Sequence, residues 1–176
     1  MDIREVEYLS SCFRRGIEIA HKKKLFKKPP FSDFPNAFCD DAPDLLAQYL
    51  IDNTGQSIRC RCVYGTYRFD DFENIFGHSW LVVDNSYIVD ITADQRQFKN
   101  ERIFPQDAIQ PCYVGTNSKF HSLFEIEPIE CRDFYGLRNY GECAYRRMKE
   151  LYDTILPCIE KVNCNIKGGA KSGFLY

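Results

Sequence analysis

A cysteine, a histidine and an aspartate in this chain have the residue types and the local settings that nucleophilic catalysis requires. Cys39 stands just before a segment that predicts a helix, His78 precedes a strongly apolar strand, and Asp90 lies within the apolar run of residues 87–91. A helix N-terminus favours thiolate over thiol and offers backbone N–H groups to an oxyanion. A histidine can act as base and acid for the sulfur, and a carboxylate can orient that histidine. Together they predict a Cys39–His78–Asp90 triad for acyl transfer at an amide or a related bond.

The register of one hairpin decides whether His78 and Asp90 can meet. Residues 84–86, Asp-Asn-Ser, are good turn formers between two predicted strands. If they form a three-residue loop, Trp80 lies opposite Asp90, and the period of two puts His78, Trp80 and Asp90 on one face. His78 and Asp90 are then diagonal neighbours, roughly 7–8 Å apart at the backbone. A two-residue turn would place them on opposite faces, so this turn is the structural test of the triad.

The surrounding elements predict a single α+β domain over residues 1–176. Apolar spacing of three and four residues predicts helices, and alternation predicts strands. The predicted helices are residues 3–28, 40–52 and 140–160, and the predicted strands are residues 58–67, 79–83, 87–91 and 120–129. Within the domain we assign an N-terminal helical part to residues 1–30, a core to 34–98, a C-terminal helix to 140–160 and a flexible tail to 165–176.

Cysteine is frequent, with nine residues, and most of these are expected to be small buried hydrophobic side chains. Cys60 and Cys62 are the one close pair, and no second Cys/His pair with zinc-finger spacing follows them. A metal site built from His78, His121 and cysteines has no spacing to support it. We therefore expect no metal and no cofactor.

The segment around Cys39 resembles a known family. Residues 38–50, FCDDAPDLLAQYL, are similar to the Cys-bearing helix of the transglutaminase-like superfamily, within the broader papain-like fold. In that family a glycine and a strand come next, then His-x-Trp on a second strand and Asp-x-Thr on a third. Gly55, residues 78–80 (His-Ser-Trp) and residues 90–92 (Asp-Ile-Thr) match in order, so the resemblance covers roughly residues 34–98.

This resemblance implies a papain-like core in which a Cys-bearing helix packs on an antiparallel sheet that carries the histidine and the aspartate. It implies Cys39 as nucleophile, His78 as base and acid, and Asp90 as the orienting partner of His78. Residues 90–95 also resemble part of bacterial papain-like deamidase and toxin domains.

Some positions depart from the papain-like pattern. Papain-type enzymes often carry a glutamine several residues before the nucleophile as an oxyanion donor, and here position 33 is aspartate. Asn36 or Gln95 could serve instead, although each also fits a loop residue making local hydrogen bonds. Trp80 is a further candidate for contact with substrate. The adjacent Asp40 and Asp41 oppose thiolate formation by like charge.

The expected activity is hydrolysis of an amide bond through a thioester, by a peptidase, an amidase or a protein-glutamine deamidase with a protein or peptide substrate. A transglutaminase or an arylamine-type N-acetyltransferase would share the first half of this chemistry and use an amine acceptor. A catalytically inactive binding or immunity module on the same fold is the non-enzymatic alternative.

Charge and hydropathy limit the other possibilities. The net charge of -2 gives no whole-chain reason to expect nucleic-acid binding, and the five lysines of residues 22–28 fit a solvated helix end or a local basic patch. No stretch approaches the length and apolarity of a membrane span, and the polar N-terminus lacks a signal-peptide pattern. We expect a cytoplasmic protein that binds no membrane, or else a secreted effector without a cleavable signal peptide.

Overall fold

The computed structural model describes residues 2–27, 31–54, 58–69 and 74–169, and for residues 74, 107 and 160–169 it describes the backbone alone. The α+β class predicted from the sequence is confirmed. The helices of the described residues are α1 (Ile3–Lys22), α2 (Ala42–Thr54) and α3 (Glu142–Gly169). The strands are β1 (Cys60–Phe69), β2 (Asn74–Val83), β3 (Tyr87–Asp90), β4 (Tyr113–Gly115), β5 (Glu125–Ile126) and β6 (Arg132–Phe134).

The strands form one open antiparallel sheet in the order β4-β3-β2-β1-β5. The last strand, β6, also pairs with β1, and it uses a different part of the same strand. β5 pairs with Gly65 and Thr66, whereas β6 pairs with the stretch from Cys60 to Cys62. The long β1–β2 hairpin is therefore the centre of the sheet, and β3 lies beside β2.

The turn between β2 and β3 has the predicted length. Val83 faces Tyr87 and Leu81 faces Val89, so the loop contains three residues. Asp84 and Asn85 adopt left-handed backbone conformations, with φ of 50° and 53°, which aspartate and asparagine tolerate better than most residues. The predicted register is confirmed, and it decides which side chains share a face.

The helices cover one face of this sheet. Leu81, Val83 and Val89 point into a core formed with α1, α2 and α3, and Cys60 and Cys62 lie in the same core. α1 packs closely against α3, because a Cβ at Gly16 would lie 2.4 Å from the Ile159 side chain. The three helices therefore form a single layer on this side.

An aromatic cap covers the other face, and we use that name for Phe98, Phe104, Phe120 and Phe124. These four rings are buried with Val63 and Trp80 in a separate apolar cluster. They come from the connections that follow β3 and β4 and lead up to β5 rather than from regular helices. This loop-built layer lies over the face from which His78, Trp80 and Asp90 project.

Some predicted boundaries were wrong. The first helix ends at Lys22 rather than at residue 28, because Lys24 turns left-handed (φ 55°) and the N–H of Leu25 bonds back to Ala20. The Pro29-Pro30 stop signal lies outside the described residues, as does Gly55. β2 begins at Asn74, so His78 lies within the strand and not before it.

The predicted strand over residues 120–129 was also wrong. The chain forms a 3-10 turn at His121–Leu123, and only Glu125–Ile126 pair as a strand. Phe120 and Phe124 are both buried four residues apart, which is the spacing of a helical turn and not of a strand.

The C-terminal helix starts close to the predicted position but continues through Gly169, so the proposed tail from residue 165 overlaps it. Once a packed helix has formed, each further residue adds a hydrogen bond at little cost. Residues 170–176 lie outside the described part. No helix in the described residues has the length and apolar character needed to cross a bilayer.

Candidate active site

Cys39 lies in a turn that leads directly into α2. The carbonyl of Phe38 accepts hydrogen bonds from the N–H groups of Asp41 and Ala42, at 3.2 and 2.9 Å. The ring of Phe38 packs edge-on against Phe31 and Phe34, with centroids 5.3 Å away in each case. This packing holds Cys39 three residues before the helix, where the helix N-terminus favours a negative charge. The side chain is only 7% exposed.

His78 and Asp90 meet as the hairpin register predicts. The Nε2 atom of His78 lies 2.6 Å from Oδ2 of Asp90, and both side chains are buried. The carboxylate is held on its other side, because Oδ1 accepts the backbone N–H of Thr92 at 2.8 Å and the Thr92 hydroxyl at 3.2 Å. Asp90 can therefore orient the imidazole from a fixed position.

Cys39 also lies close enough to His78 to raise the pKa of the imidazole. Since Asp90 occupies Nε2, the Nδ1 atom of His78 is the one that remains for the sulfur. The nucleophile, base and orienting acid of the predicted triad are thus brought together from the turn before α2, from β2 and from β3.

The charges of this pair reinforce one another. Burial lowers the pKa of His78, but the Asp90 carboxylate and Cys39 raise it by more, so the pKa lies above the usual value. Burial raises the pKa of Asp90. The charge of His78 and the hydrogen bonds from His121 and His78 outweigh burial, so the pKa of Asp90 lies well below its usual range. Each group therefore shifts the pKa of the other in the direction that favours an imidazolium–carboxylate pair.

A second histidine contacts the same carboxylate, and sequence reasoning missed this role. Nε2 of His121 lies 2.9 Å from Oδ2 of Asp90, and the side chain is buried. On its other side, Nδ1 of His121 lies 2.6 Å from the hydroxyl of Ser118. His121 follows Asp90 by 31 residues in an irregular segment, so no local pattern in the sequence indicated the contact.

Gln95 connects the Cys39 loop to the imidazole. Its Oε1 accepts the backbone N–H of Ala37 at 3.0 Å, and its Nε2 lies 3.5 Å from Nδ1 of His78. The side chain is buried. Of the two amides considered as oxyanion donors, Gln95 is the one whose N–H group contacts the histidine.

Asn36 and Trp80 have different surroundings. The side-chain oxygen of Asn36 accepts the backbone N–H of Arg96 at 2.8 Å, and so it holds two loops together. Trp80 lies next to the cluster, with its ring centroid 6.1 Å from that of His78 and 5.0 Å from that of His121. The oxyanion role of Asn36 and the substrate contact of Trp80 stay predictions.

A buried arginine from α1 positions the segment that follows β3. Arg14 binds both oxygens of Asp94, at 2.8 and 2.9 Å, and donates to the carbonyl of Ile91 at 2.7 Å. Its guanidinium group stacks 4.4 Å from the ring centroid of Phe34. The same arginine thus links the stretch that carries Gln95 to the loop before Cys39.

Two of the acidic residues near Cys39 are matched by arginines. Asp41 is bound by both terminal nitrogens of Arg147, at 2.6 and 2.7 Å, and Asp44 in the same way by Arg132, at 2.6 and 2.8 Å. The like-charge cost expected from Asp41 is therefore largely offset. Asp40 is exposed and lies 3.8 Å from the sulfur, so solvent screens its charge.

The His78–Asp90–His121 cluster also has the spacing of metal ligands, since the three candidate atoms lie within 4.8 Å of one another. However, the two short contacts join each Nε2 to one oxygen at hydrogen-bond lengths, and each therefore requires a proton on that nitrogen. A metal ion would need the nitrogen lone pairs instead. The geometry thus favours a hydrogen-bonded cluster.

Comparison with known proteins adds no relative. Neither the protein-family models, nor the curated proteins, nor the solved structures contain a match to this chain.

Proposed function

We propose that this protein is a thiol hydrolase with a papain-like or transglutaminase-like core, which cleaves an amide bond of a protein or peptide through a thioester. The observation that carries the proposal is the buried imidazole of His78, which is hydrogen-bonded to Asp90 and has Cys39 near enough to raise its pKa further. A strongly perturbed, hydrogen-bonded histidine beside a cysteine at a helix N-terminus is the arrangement that activates a thiol.

In the proposed reaction, the sulfur of Cys39 attacks the carbonyl carbon, and Nδ1 of His78 holds the proton that the thiol gives up. The C–N bond then breaks as His78 passes this proton to the leaving nitrogen, and a thioester remains on Cys39. Water attacks the thioester with His78 as base, which releases the acid and restores the thiol. The Nε2–H of Gln95 would stabilise the two oxyanions.

Hydrolysis is proposed over transfer to an amine because water is always present as an acceptor. A protein-glutamine deamidase and a peptidase both fit this chemistry. No cofactor is required by it.

An inactive binding module on the same fold is the second candidate, and one observation favours it. Cys39 and His78 are 7% and 0% exposed, so in this conformation little of the triad faces a substrate. In such a module the His78–Asp90 contact would serve to satisfy buried polar groups.

The pH dependence of Cys39 alkylation separates the two candidates. An activated thiol should react with iodoacetamide at about pH 6 roughly a hundredfold faster than an ordinary thiol, whose pKa is near 8.5. His78→Ala should remove that advantage. The exposed Cys143 is the internal control, because its labelling should follow an ordinary thiol in both proteins.

An ordinary titration of Cys39 in the wild type, unchanged in His78→Ala, would favour the binding module. Cys39→Ala should abolish any amide hydrolysis while leaving the thermal unfolding midpoint close to that of the wild type.

We also propose a reducing, cytoplasmic location. The eight cysteines whose side chains are described form no disulfide with one another.

A further inference from the structure

His121 is placed to act on the triad without contacting the nucleophile. Its Nε2 shares the Oδ2 atom of Asp90 with His78, so two imidazoles bind one carboxylate oxygen. One negative charge can stabilise one imidazolium well, and His78 has Cys39 nearby in addition to Asp90. The second imidazole is therefore expected to be neutral.

Asp90 fixes the tautomer of this neutral ring, because its carboxylate oxygen can only accept and the ring proton must then lie on Nε2, and Ser118 is compatible with that tautomer. The hydroxyl oxygen of Ser118 accepts the backbone N–H of His121 at 3.2 Å, and its own hydrogen can then point to Nδ1 of His121, 2.6 Å away. With Nδ1 as acceptor, the single ring proton of His121 lies on Nε2 and is donated to Asp90. The turn at residues 118–121 thus presents a neutral N–H donor to the carboxylate.

Thr92 keeps the carboxylate in place independently of His121. Both hydrogen bonds from Thr92 reach the opposite oxygen, Oδ1, and the contact with His78 holds Oδ2. Removing His121 would consequently change the charge that Asp90 presents to His78 more than it would change the orientation of Asp90.

We propose that His121 is a positioning residue for this site, whose neutral Nε2–H takes up part of the negative charge of Asp90 and so keeps His78 able to release its proton. This inference rests on the proposed function, in which His78 must pass a proton to the leaving nitrogen. An aspartate with no second donor would hold the imidazolium more tightly and slow that step.

The other titratable groups against the cluster come from three elements. Cys39 lies beside His78, and the ring centroid of Tyr113 in β4 lies 5.5 Å from that of His121. Cys112 precedes Tyr113, and its pKa is raised first by burial and further by the Asp90 charge. The remaining neighbours, Trp80 and the aromatic cap, do not titrate.

The test uses two amide substitutions of His121 that differ only in side-chain length. In His121→Asn the amide nitrogen takes the place of Nδ1 near Ser118 and is too short for Asp90, whereas in His121→Gln it takes the place of Nε2 and restores the donor. The titration of His78 is followed by ¹⁵N NMR of the imidazoles in the full chain. Cys39→Ala serves as the background, so that the thiol does not titrate with the ring.

We expect His121→Asn to raise the pH midpoint of His78 by about one pH unit, and His121→Gln to return it close to the original value. His21→Gln, which removes the histidine at the end of α1, should leave the midpoint unchanged. In the protein without these substitutions, the ¹⁵N shifts of His121 at about pH 7 should be those of a neutral ring with its proton on Nε2.

An unchanged midpoint in His121→Asn, equal midpoints for Asn and Gln, or a His121 ring that is doubly protonated or protonated on Nδ1 would overturn the inference. The tautomer is read without any substitution, so a poorly folded variant does not leave the question open. Failure of the proposed function would show separately, as an ordinary Cys39 thiol in the alkylation experiment.

Discussion

Two buried carboxylates, on opposite faces of the sheet, are satisfied in different ways. Asp44 on the helical face is 3% exposed and Asp90 on the aromatic face is 2% exposed. Asp44 is bound by Arg132 and Cys62, and Asp90 by His78, His121 and Thr92. Each therefore has several donors, but only the set around Asp90 contains imidazoles, which can give up a proton.

The partners decide what each carboxylate can do. At Asp44 burial raises the pKa of the carboxyl and outweighs the opposing effects of its donors, whereas at Asp90 the two imidazoles outweigh burial and the pKa falls. The guanidinium of Arg132 keeps its charge at all relevant pH values, so the Asp44 pair can only hold α2 against β6. Histidine can give up its proton, so the Asp90 pair can take part in chemistry.

The largest expected effect comes from Asp90→Asn. The amide can place an N–H group, instead of an acceptor oxygen, against Nε2 of His78. The proton of the neutral ring would then lie on Nδ1, which is the atom that must receive the proton of Cys39. We expect Cys39 alkylation at about pH 6 to fall about a hundredfold, to the rate of an ordinary thiol.

Asp44→Asn is the matched control for that experiment, since it changes an equally buried carboxylate. An alkylation rate that falls equally in both variants would mean that burial, and not the histidine contact, sets the reactivity of Cys39.

The second prediction concerns stability at Asp44. Asp44→Asn replaces one of the two oxygens that accept hydrogen bonds from Arg132 with an NH2 donor, and it leaves a partly buried guanidinium without a counter-charge. Because Arg132 is about half exposed, we expect a loss of about 2 kcal/mol in the free energy of unfolding by urea. Asp133→Asn, at the exposed ion pairs with Arg59 and Arg61 on the sheet surface, should cost less. Equal losses would contradict a structural role specific to Asp44.

The smallest expected effect is in the pH dependence of the free energy of unfolding, which should respond to substitution at His78 on the aromatic face but not at Asp44 on the helical face. The pKa of His78 is raised in the folded protein, so its charged form stabilises the fold fully below its unfolded pKa of about 6.5 and less as the pH rises through the folded value. Between about pH 6 and pH 9 the free energy of unfolding of the wild type should therefore fall more than that of His78→Gln.

In Asp44→Asn the free energy of unfolding should change with pH as it does in the wild type, because Arg132 stays charged throughout this range. A slope that is identical in the wild type and in His78→Gln would show that His78 has a similar pKa in the folded and unfolded protein.

Much of the candidate site could be predicted because it depends on local patterns. The stretch before α2 places Cys39 near a helix start, and the three-residue turn with a period of two places His78 and Asp90 on one face. Boundaries were less predictable. The segment around Phe120 shows why. Phe120 and Phe124 are apolar residues in a short segment, and the segment forms a 3-10 turn because both rings pack on the same face of the sheet.

The amino-acid sequence by itself determined the α+β class, the register that joins His78 to Asp90, and the position of Cys39 before a helix. Each of these follows from residues that are close together along the chain. Only the tertiary structure decided that His121 shares Asp90, that Gln95 bridges to His78, and that arginines neutralise Asp41 and Asp44. These contacts join segments from 17 to 106 residues apart through loops whose paths depend on the packing of the whole domain, so neighbouring residues cannot encode them.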